Sequence, residues 1–198
     1  MEKLLLHSCC APCSSGVLDD LRQHYDITVF FYNPNIFPLE EYEKRAKEQE
    51  RYLQQIGISY IICDYEPQKY LDFIKGLENE PEGGSRCAKC FELRLRETAG
   101  YGKKHNYDLF TTTLSVSPHK NHNIINEIGN KISEEVGIKF LEANFKKNDG
   151  YLKSINNCKK YNIYRQNYCG CKYSMWFLKD KDCTFCSCLY FLNSHRFS

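Results

Sequence analysis

The feature that most constrains the fold of this chain is a cysteine-rich stretch, residues 7–21, which lies between two apolar patterns. Three consecutive leucines at residues 4–6 precede it, and apolar residues at helical spacing occur at residues 17–21, so the pattern predicts a strand, a tight loop and a helix. In an open parallel sheet, ligands bind at this end of the strands. The predicted loop carries three thiols, those of Cys9, Cys10 and Cys13.

Strand-like and helix-like segments alternate along the rest of the chain. Further strands are predicted at residues 27–32, 58–63, 108–115 and 138–143, and helices at residues 39–57, 67–77, 86–105 and 123–136. Such alternation is typical of the α/β class, with a parallel sheet of about five strands flanked by helices and right-handed crossovers. We expect residues 1–175 to form this domain and residues 176–198 to form a cysteine-containing C-terminal extension of unknown role.

The bulk composition indicates an ordinary soluble protein. Of 198 residues, 42% are hydrophobic, and the net charge is only +2, so any nucleic-acid-binding surface must be a local patch. No stretch approaches the roughly 20 apolar residues of a membrane span, and the first residues lack the pattern of a signal peptide. We therefore expect a cytoplasmic protein without a membrane partner, and a monomer.

The cysteines indicate a metal centre rather than a disulfide framework, because the chain has the pattern of a reduced α/β protein. It contains twelve cysteines. Seven of these are spaced for ligation, in the clusters Cys9-Cys10-x-x-Cys13, Cys87-x-x-Cys90 and Cys169-x-Cys171. Positions three apart share a helix face, and Gly170 permits a sharp turn between its two neighbours. The helix start after the first loop is expected to lower the pKa of the Cys10 and Cys13 thiols.

Three kinds of site remain open on this pattern. A zinc ion held by four cysteines would leave three of the seven without a role. A [4Fe–4S] cluster also uses four thiolates, and the others could then hold a second metal beside it. A thioredoxin-like dithiol site would need only one Cys-x-x-Cys pair.

Two polar residues are candidates for catalysis because each adjoins the end of a predicted strand. His7 lies just before the cysteine loop, and Asp64 follows the third strand. A histidine at this place can bind substrate or transfer a proton, and a carboxylate can ligate a metal or donate a proton. The structural alternatives are a hydrogen-bonded histidine at a strand end and a cap for the next helix.

Other polar residues form a candidate phosphate-binding patch near the same end of the sheet. They are Ser115, Ser117, His119 and Lys120 after the fourth strand, with Arg86, Lys89 and Arg94 in the long helix. The alternative is a solvated helix start. Among the other cysteines, Cys63 is expected in the core, and no catalytic role is expected for Cys158, Cys183, Cys186 and Cys188.

At these motifs the chain resembles the cobalamin-independent epoxyqueuosine reductase family of queuosine synthesis in tRNA. The matching segments are HSCCAPC at residues 7–13, RCAKC and the helix that follows it at residues 86–94, TTLSVSPHK at residues 112–120, and NYCGC at residues 167–171. They occur in the same order from residue 1 to about residue 174. The tail beyond Met175 has no counterpart in this pattern.

The resemblance implies an HUP-like fold of the nucleotide α-hydrolase or PP-loop type, in which the cysteine loop replaces the ATP-pyrophosphatase loop. It also implies a [4Fe–4S] cluster beside an additional mononuclear iron. We expect the seven clustered cysteines to be shared between the two, with Asp64 as an oxygen ligand or acid. The substrate would be a tRNA carrying epoxyqueuosine in its anticodon loop. Electrons would come from a ferredoxin- or flavodoxin-like donor.

On the same resemblance, the RNA would contact Arg86, Ser115, Ser117, His119, Lys120 and Tyr168. Splayed bases of an anticodon loop stack on aromatic side chains, and residues 150–168 interleave tyrosines with basic residues, among them Lys159, Lys160 and Arg165. The alternative for this segment is an ordinary surface helix. A zinc-stabilised RNA-binding module and a thiol-disulfide oxidoreductase remain the rival functions.

Overall fold

The structure is a computed structural model that describes residues 1–147 and 149–174, so the predicted extension at residues 176–198 lies outside it. Its strands are β1 (Glu2–His7), β2 (Tyr25–Phe31), β3 (Ser59–Ile62), β4 (Leu109–Thr112) and β5 (Lys139–Phe140). Its helices are α1 (Ala11–Ser15), α2 (Leu18–Leu21), α3 (Leu39–Ile56), α4 (Pro67–Phe73), α5 (Ser85–Lys104), α6 (His122–Val136) and α7 (Gly150–Lys160). A 3-10 turn, Thr113–Val116, follows β4 directly.

All five strands are parallel, in the order β3-β2-β1-β4-β5. This confirms the predicted α/β class and the HUP-like architecture. The strand order reverses between β1 and β4, so their carboxyl ends form the switch point at which such sheets bind ligands. The cysteine loop follows β1, and the 3-10 turn that contains Ser115 follows β4.

The central strand β1 is buried on both faces because helices cover both sides of the sheet. Leu5 packs in a cluster with residues of α5 and α6, whereas Leu4 and Leu6 pack in another with residues of α1, α2, α3 and α7. All three leucines are fully buried. A continuous apolar run in a strand is typical of this two-sided burial.

Several boundaries differ from those predicted. The last strand is only two residues long, the helix predicted at residues 67–77 ends at Phe73, and β4 gives way to the 3-10 turn. The first helix is broken at Gly16, where a Cβ atom would lie 2.3 Å from the carbonyl oxygen of Gly150, so α7 can approach only a glycine here. Cys13 lies within α1 rather than in the predicted loop.

In the part of the chain that the structure describes, none of the helices is both long and apolar enough to cross a bilayer.

Two helical glycines form a matched pair for testing how α6 packs against β5. A Cβ atom at Gly129 in α6 would lie 2.4 Å from the ring of Phe140, whereas at exposed Gly100 in α5 it would meet nothing within 4 Å. We expect Gly129→Ala to lower the free energy of unfolding by about 1–3 kcal/mol through overpacking. Gly100→Ala should raise it by up to about 1 kcal/mol through helix propensity. Urea denaturation of both variants tests this, and equal effects would contradict the packing of α6 on β5.

Candidate metal centre

The main cavity lies at the carboxyl ends of β1 and β4 and has a volume of about 410 Å³. This falls in the range of roughly 300–1,000 Å³ that is usual for ligand sites. All seven clustered cysteines line it, namely Cys9, Cys10, Cys13, Cys87, Cys90, Cys169 and Cys171. The fold therefore brings the three sequence clusters to one place.

The first cluster forms a compact triad of sulfur atoms. The three Sγ atoms of Cys9, Cys10 and Cys13 all lie within 4.8 Å of one another, and those of Cys9 and Cys10 are 3.8 Å apart. Hydrogen bonds from the other two thiols hold the pKa of Cys9 well below its usual range. At Cys10 the bond to Cys13 lowers the pKa, but the interaction with Cys9 and burial outweigh it and raise the value to about 12.

The predicted lowering of the pKa of Cys10 and Cys13 is therefore wrong. The pKa of Cys13 also lies well above its usual value, because of its hydrogen bonds with Cys10 and Cys9 and because of burial. Three sulfurs packed together out of water favour one thiolate that two thiols stabilise. A bound metal ion would supply the positive charge that all three need in order to ionise together.

His7 is a buried, hydrogen-bonded residue at the end of β1, directly before this loop, and it does not face the cavity. It is fully buried, its Nε2 lies 3.2 Å from the Tyr32 carbonyl oxygen and its Nδ1 lies 2.8 Å from Thr112 Oγ1. Because a carbonyl can only accept, Nε2 carries the proton and Nδ1 accepts from the hydroxyl. Burial first, and then the charge of Arg94, lowers the pKa of His7 to about 3, so the ring stays neutral. His7 does not line the cavity.

The other four cysteines approach the cavity from two directions. Cys87 and Cys90 lie in the first turns of α5, as their spacing predicted, and Cys169 and Cys171 flank Gly170 in the segment after α7. Burial raises the pKa of Cys87 and Cys171, and raises that of Cys90 to about 12. The free thiols of Cys87, Cys90 and Cys171 would be neutral at physiological pH, and a soft metal would displace their protons.

Positive charge surrounds these sulfurs without acidic partners. Within residues 1–147 and 149–174, no carboxylate forms a salt bridge with four of the basic residues that line the cavity: Arg86, Arg94, Lys120 and Arg165. Burial alone would lower the pKa of Arg94 and of Lys120, but negative sulfurs, including that of Cys9, raise both. A buried cation is costly unless it is paired, so this arrangement favours an anionic centre beside Arg94 and Arg86.

The predicted phosphate patch is only partly assembled at the cavity. Ser117, His119, Lys120 and Tyr168 line it, as do Arg86, Arg94 and Arg165. Ser115 is fully buried and does not reach it, and Lys89, Lys159 and Lys160 are also absent from its lining. Lys89 instead forms a salt bridge with Glu92, and the other two lysines occupy the exposed last turn of α7.

Two of the predicted contact residues already have partners in the protein. Arg86 donates to the carbonyl oxygens of Glu78 and Glu80 and so holds the loop before α5. Tyr168 donates to the carbonyl oxygen of Phe37 at 2.7 Å, and the guanidinium of Arg45 lies 4.9 Å from the centre of its ring. Tyr168 therefore has at most one ring face left for stacking.

Asp64 is exposed and is not among the residues that line the cavity, so the structure does not bring it to the sulfurs. Among the described residues, the carboxylate that does line the cavity belongs to Glu82, an exposed residue of the loop before α5. A strand end places a residue at the correct edge of the sheet, but β3 is the edge strand and lies two strands away from the switch point.

Sequence reasoning missed several residues that contact the sulfurs. Tyr70 of α4 lies with its hydroxyl 3.2 Å from Cys171 Sγ, and Gln166 donates from its amide to Cys10 Sγ at 3.0 Å. Ser154 of α7 donates to the carbonyl oxygen of Pro12 at 2.6 Å and thereby supports α1. None of them belongs to a recognisable motif.

The donor set fits a thiolate-bound metal centre. The Cys9, Cys10 and Cys13 sulfurs are close enough to share one ion, and four more thiols face the same cavity. Soft sulfur ligands favour iron–sulfur clusters, zinc or copper(I) over hard cations such as magnesium. The unpaired cations match the negative charge that such a centre carries.

The fold and the site thus define a class of protein, a parallel α/β protein with a thiol-lined cavity at the switch point of its sheet. The sequence pattern described as epoxyqueuosine reductase QueH matches residues 4–176. The chain is 46% identical over 180 residues to the epoxyqueuosine reductase QueH of Staphylococcus epidermidis, with 87% of this chain and 76% of the relative covered. It is 37% identical over 184 residues to that of Thermotoga maritima, with coverage of 91% and 94%.

The chain therefore belongs to the epoxyqueuosine reductase QueH family, which confirms the resemblance drawn from its motifs. Among solved structures it is similar to a protein described as a predicted subunit of tRNA methyltransferase from Methanocaldococcus jannaschii. The TM-score is 0.52 at 10% identity, with 82% of this chain and 90% of that chain covered. At this identity the likeness concerns the fold alone.

The cavity distinguishes the clustered cysteines from the others, and this is open to test. We expect Cys87→Ser to lower the iron bound per chain after anaerobic reconstitution, because a hydroxyl is a poor ligand for a thiophilic metal. Cys63→Ser is the matched control, since Cys63 is similarly half-buried but does not line the cavity. Elemental analysis provides the measurement, and equal iron contents for the two variants would contradict the assignment of the cavity.

Proposed function

We propose that this protein is a cobalamin-independent epoxyqueuosine reductase that acts on the modified wobble nucleotide in a tRNA anticodon loop. The single observation that carries the proposal is the convergence of seven thiols on one cavity, four of whose lining cations have no acidic partner among the described residues. Membership of the QueH family supplies the substrate class. The reaction breaks both carbon–oxygen bonds of the epoxide and forms an alkene, with two electrons and two protons consumed and water released.

We further propose that the seven cysteines share a [4Fe–4S] cluster and a neighbouring mononuclear iron. The triad of Cys9, Cys10 and Cys13 could serve one metal, and the four thiols of the other two clusters offer the remaining ligands. When bound, such a centre supplies single electrons and a Lewis acid for the epoxide oxygen. The electrons would come from a small ferredoxin- or flavodoxin-like protein.

The contribution of the chain itself is electrostatic and positional. Arg94 is 2% exposed and fixed by its donation to the Cys90 carbonyl oxygen at 3.0 Å, so its charge is held in place beside the sulfurs. A fixed charge in a partly dry cavity stabilises an anion more than the same charge would in water. Lys120, which lines the cavity, would likewise stabilise negative charge that develops on the departing oxygen.

Recognition of the RNA would be local, since the net charge is only +2. Lys120 and Arg165 at the cavity would contact phosphates, which provide affinity but little sequence choice. Choice would come from entry of the modified base into the cavity and from stacking on nearby rings, of which Tyr151 and Tyr168 line the cavity.

The deciding experiment is anaerobic purification followed by a turnover assay. We expect a brown protein with broad thiolate-to-iron absorbance near about 400 nm. With a chemical reductant it should convert epoxyqueuosine to queuosine in tRNA, as measured by mass spectrometry of the digested nucleosides. A colourless protein with stoichiometric zinc would instead favour the RNA-binding module. Dithiol exchange by the metal-free protein would favour the thiol-disulfide oxidoreductase.

A second test separates charges at the cavity from those on α7. We expect Lys120→Gln to lower the salt-dependence slope by about 0.7–0.9, the value for one phosphate contact, both for intact tRNA and for an isolated anticodon stem-loop. The double charge reversal of Lys159 and Lys160 should weaken binding of intact tRNA more than that of the stem-loop, because these residues lie away from the cavity. Fluorescence anisotropy at several salt concentrations measures both. An unchanged slope for Lys120→Gln would show that the phosphates do not lie at the cavity.

A further inference from the structure

The segment from Tyr161 to Cys171 delivers two of the seven thiols, yet it contains no helix or strand. It begins after α7, runs across α3 and ends at the Cys169-Gly170-Cys171 turn. An irregular segment has no backbone ladder of its own to hold two ligands in place. Its position must therefore depend on contacts with the elements beneath it.

Helix α3 provides these contacts through side chains along one of its faces. At its carboxyl end, Arg51 donates to the carbonyl oxygens of Tyr161 and Asn162 at 3.0 and 3.2 Å. Midway, the Tyr164 backbone N–H donates to Glu48 Oε1 at 2.8 Å. The first part of the segment, residues 161–164, is thus hydrogen-bonded to α3 before the chain reaches the cysteines.

Arg45 makes the equivalent contact at the cysteines themselves. Its guanidinium donates to the carbonyl oxygens of Tyr168 at 3.2 Å and Cys169 at 3.1 Å, while its Nε donates to Glu41 Oε1 at 2.6 Å. The side chain is only 2% exposed and lines the cavity. The planar group therefore joins two successive carbonyls to one carboxylate, a geometry that lysine cannot reproduce.

The turn at Gly170 packs closely against the same guanidinium. Gly170 has a φ of +107°, and a Cβ atom there would lie 2.8 Å from Arg45 Nη1 and 3.1 Å from Ile36 Cγ1. The Gly170 carbonyl oxygen accepts from the Phe37 backbone N–H at 2.8 Å. Cys169 and Cys171 are consequently separated by a residue that is fixed from two sides.

We propose that Arg45 is a positioning residue that holds the Cys169–Cys171 turn in the conformation that binds metal. The inference rests on the thiol-bound metal centre of the proposed function and adds a specific residue to it. Removal of the guanidinium would free two carbonyls and leave Glu41 without its cationic partner, with the Tyr164 hydroxyl still donating to it. Cys169 could then leave the cavity, and the centre would lose a ligand without any change in the cysteines themselves.

The test compares Arg45→Gln and Arg45→Lys with Arg51→Gln, which removes the same kind of two-carbonyl contact from the same helix. All variants are reconstituted anaerobically with iron and sulfide, and release of iron to a ferrous chelator is followed by absorbance. We expect Arg45→Gln to bind metal about 10- to 100-fold more weakly, as is usual for residues that orient metal ligands. Arg45→Lys should also bind metal more weakly, because lysine keeps the positive charge but lacks the planar guanidinium that donates to both carbonyls. Arg51→Gln should retain the metal as the wild type does.

The thermal midpoint of each metal-free variant separates positioning from loss of folding. A folded Arg45→Gln protein that loses iron while folded Arg51→Gln keeps it supports the proposal. Equal iron retention by Arg45→Gln and the wild type overturns it, as does wild-type behaviour of Arg45→Lys, which would show that only the charge matters. Failure of the wild type itself to bind iron would instead refute the metal centre of the proposed function.

Discussion

The balance of charge inside one cavity is the constraint on which the rest of the site depends. Neutral thiols are easily buried, but the cations of Arg86 and Arg94, each only 2% exposed and without a carboxylate partner in the described chain, are not. Neither group is stable alone in this arrangement, since the sulfurs need cations in order to ionise and the cations need anions in order to remain buried. A thiolate-bound metal centre would satisfy both requirements, because it would convert several protonated sulfurs into a fixed anion next to Arg94 and close to the partly buried Lys120.

The topology of the sheet explains how sulfurs so distant in sequence come to share this cavity. The loop after β1 and the turn after β4 meet because the strand order reverses between these neighbours. Helix α5 lies on the same side of the sheet as the Leu5 cluster and carries Cys87 and Cys90 to the cavity from its first turns. The third pair arrives on an irregular segment, and for that reason it depends on side chains of α3 rather than on the sheet.

The sequence was informative where a local rule governs structure. Helical spacing predicted that Cys87 and Cys90 share a face, and the apolar run at residues 4–6 predicted a strand. Contacts between distant segments obey no such rule. Arg45 lies in a helix rich in charged residues and looks solvent-exposed in sequence, yet it is buried by a segment more than a hundred residues away. Asp64 shows the converse error, since the end of an edge strand resembles a site in sequence but lies apart from the switch point.

The same charge balance limits how the protein can attract RNA. Arg94 is buried and donates to the Cys90 carbonyl oxygen, and Arg86 donates to two carbonyls of its own loop, so neither is free to bind a phosphate. The charge left for RNA belongs to half-exposed residues such as Lys120 and to the lysines of α7, which agrees with a net charge of only +2. Electrostatic affinity for RNA in general should therefore be modest. On the proposed function, discrimination would arise inside the cavity, where the chemistry of a single modified base, and not the length of the RNA, would decide what binds productively.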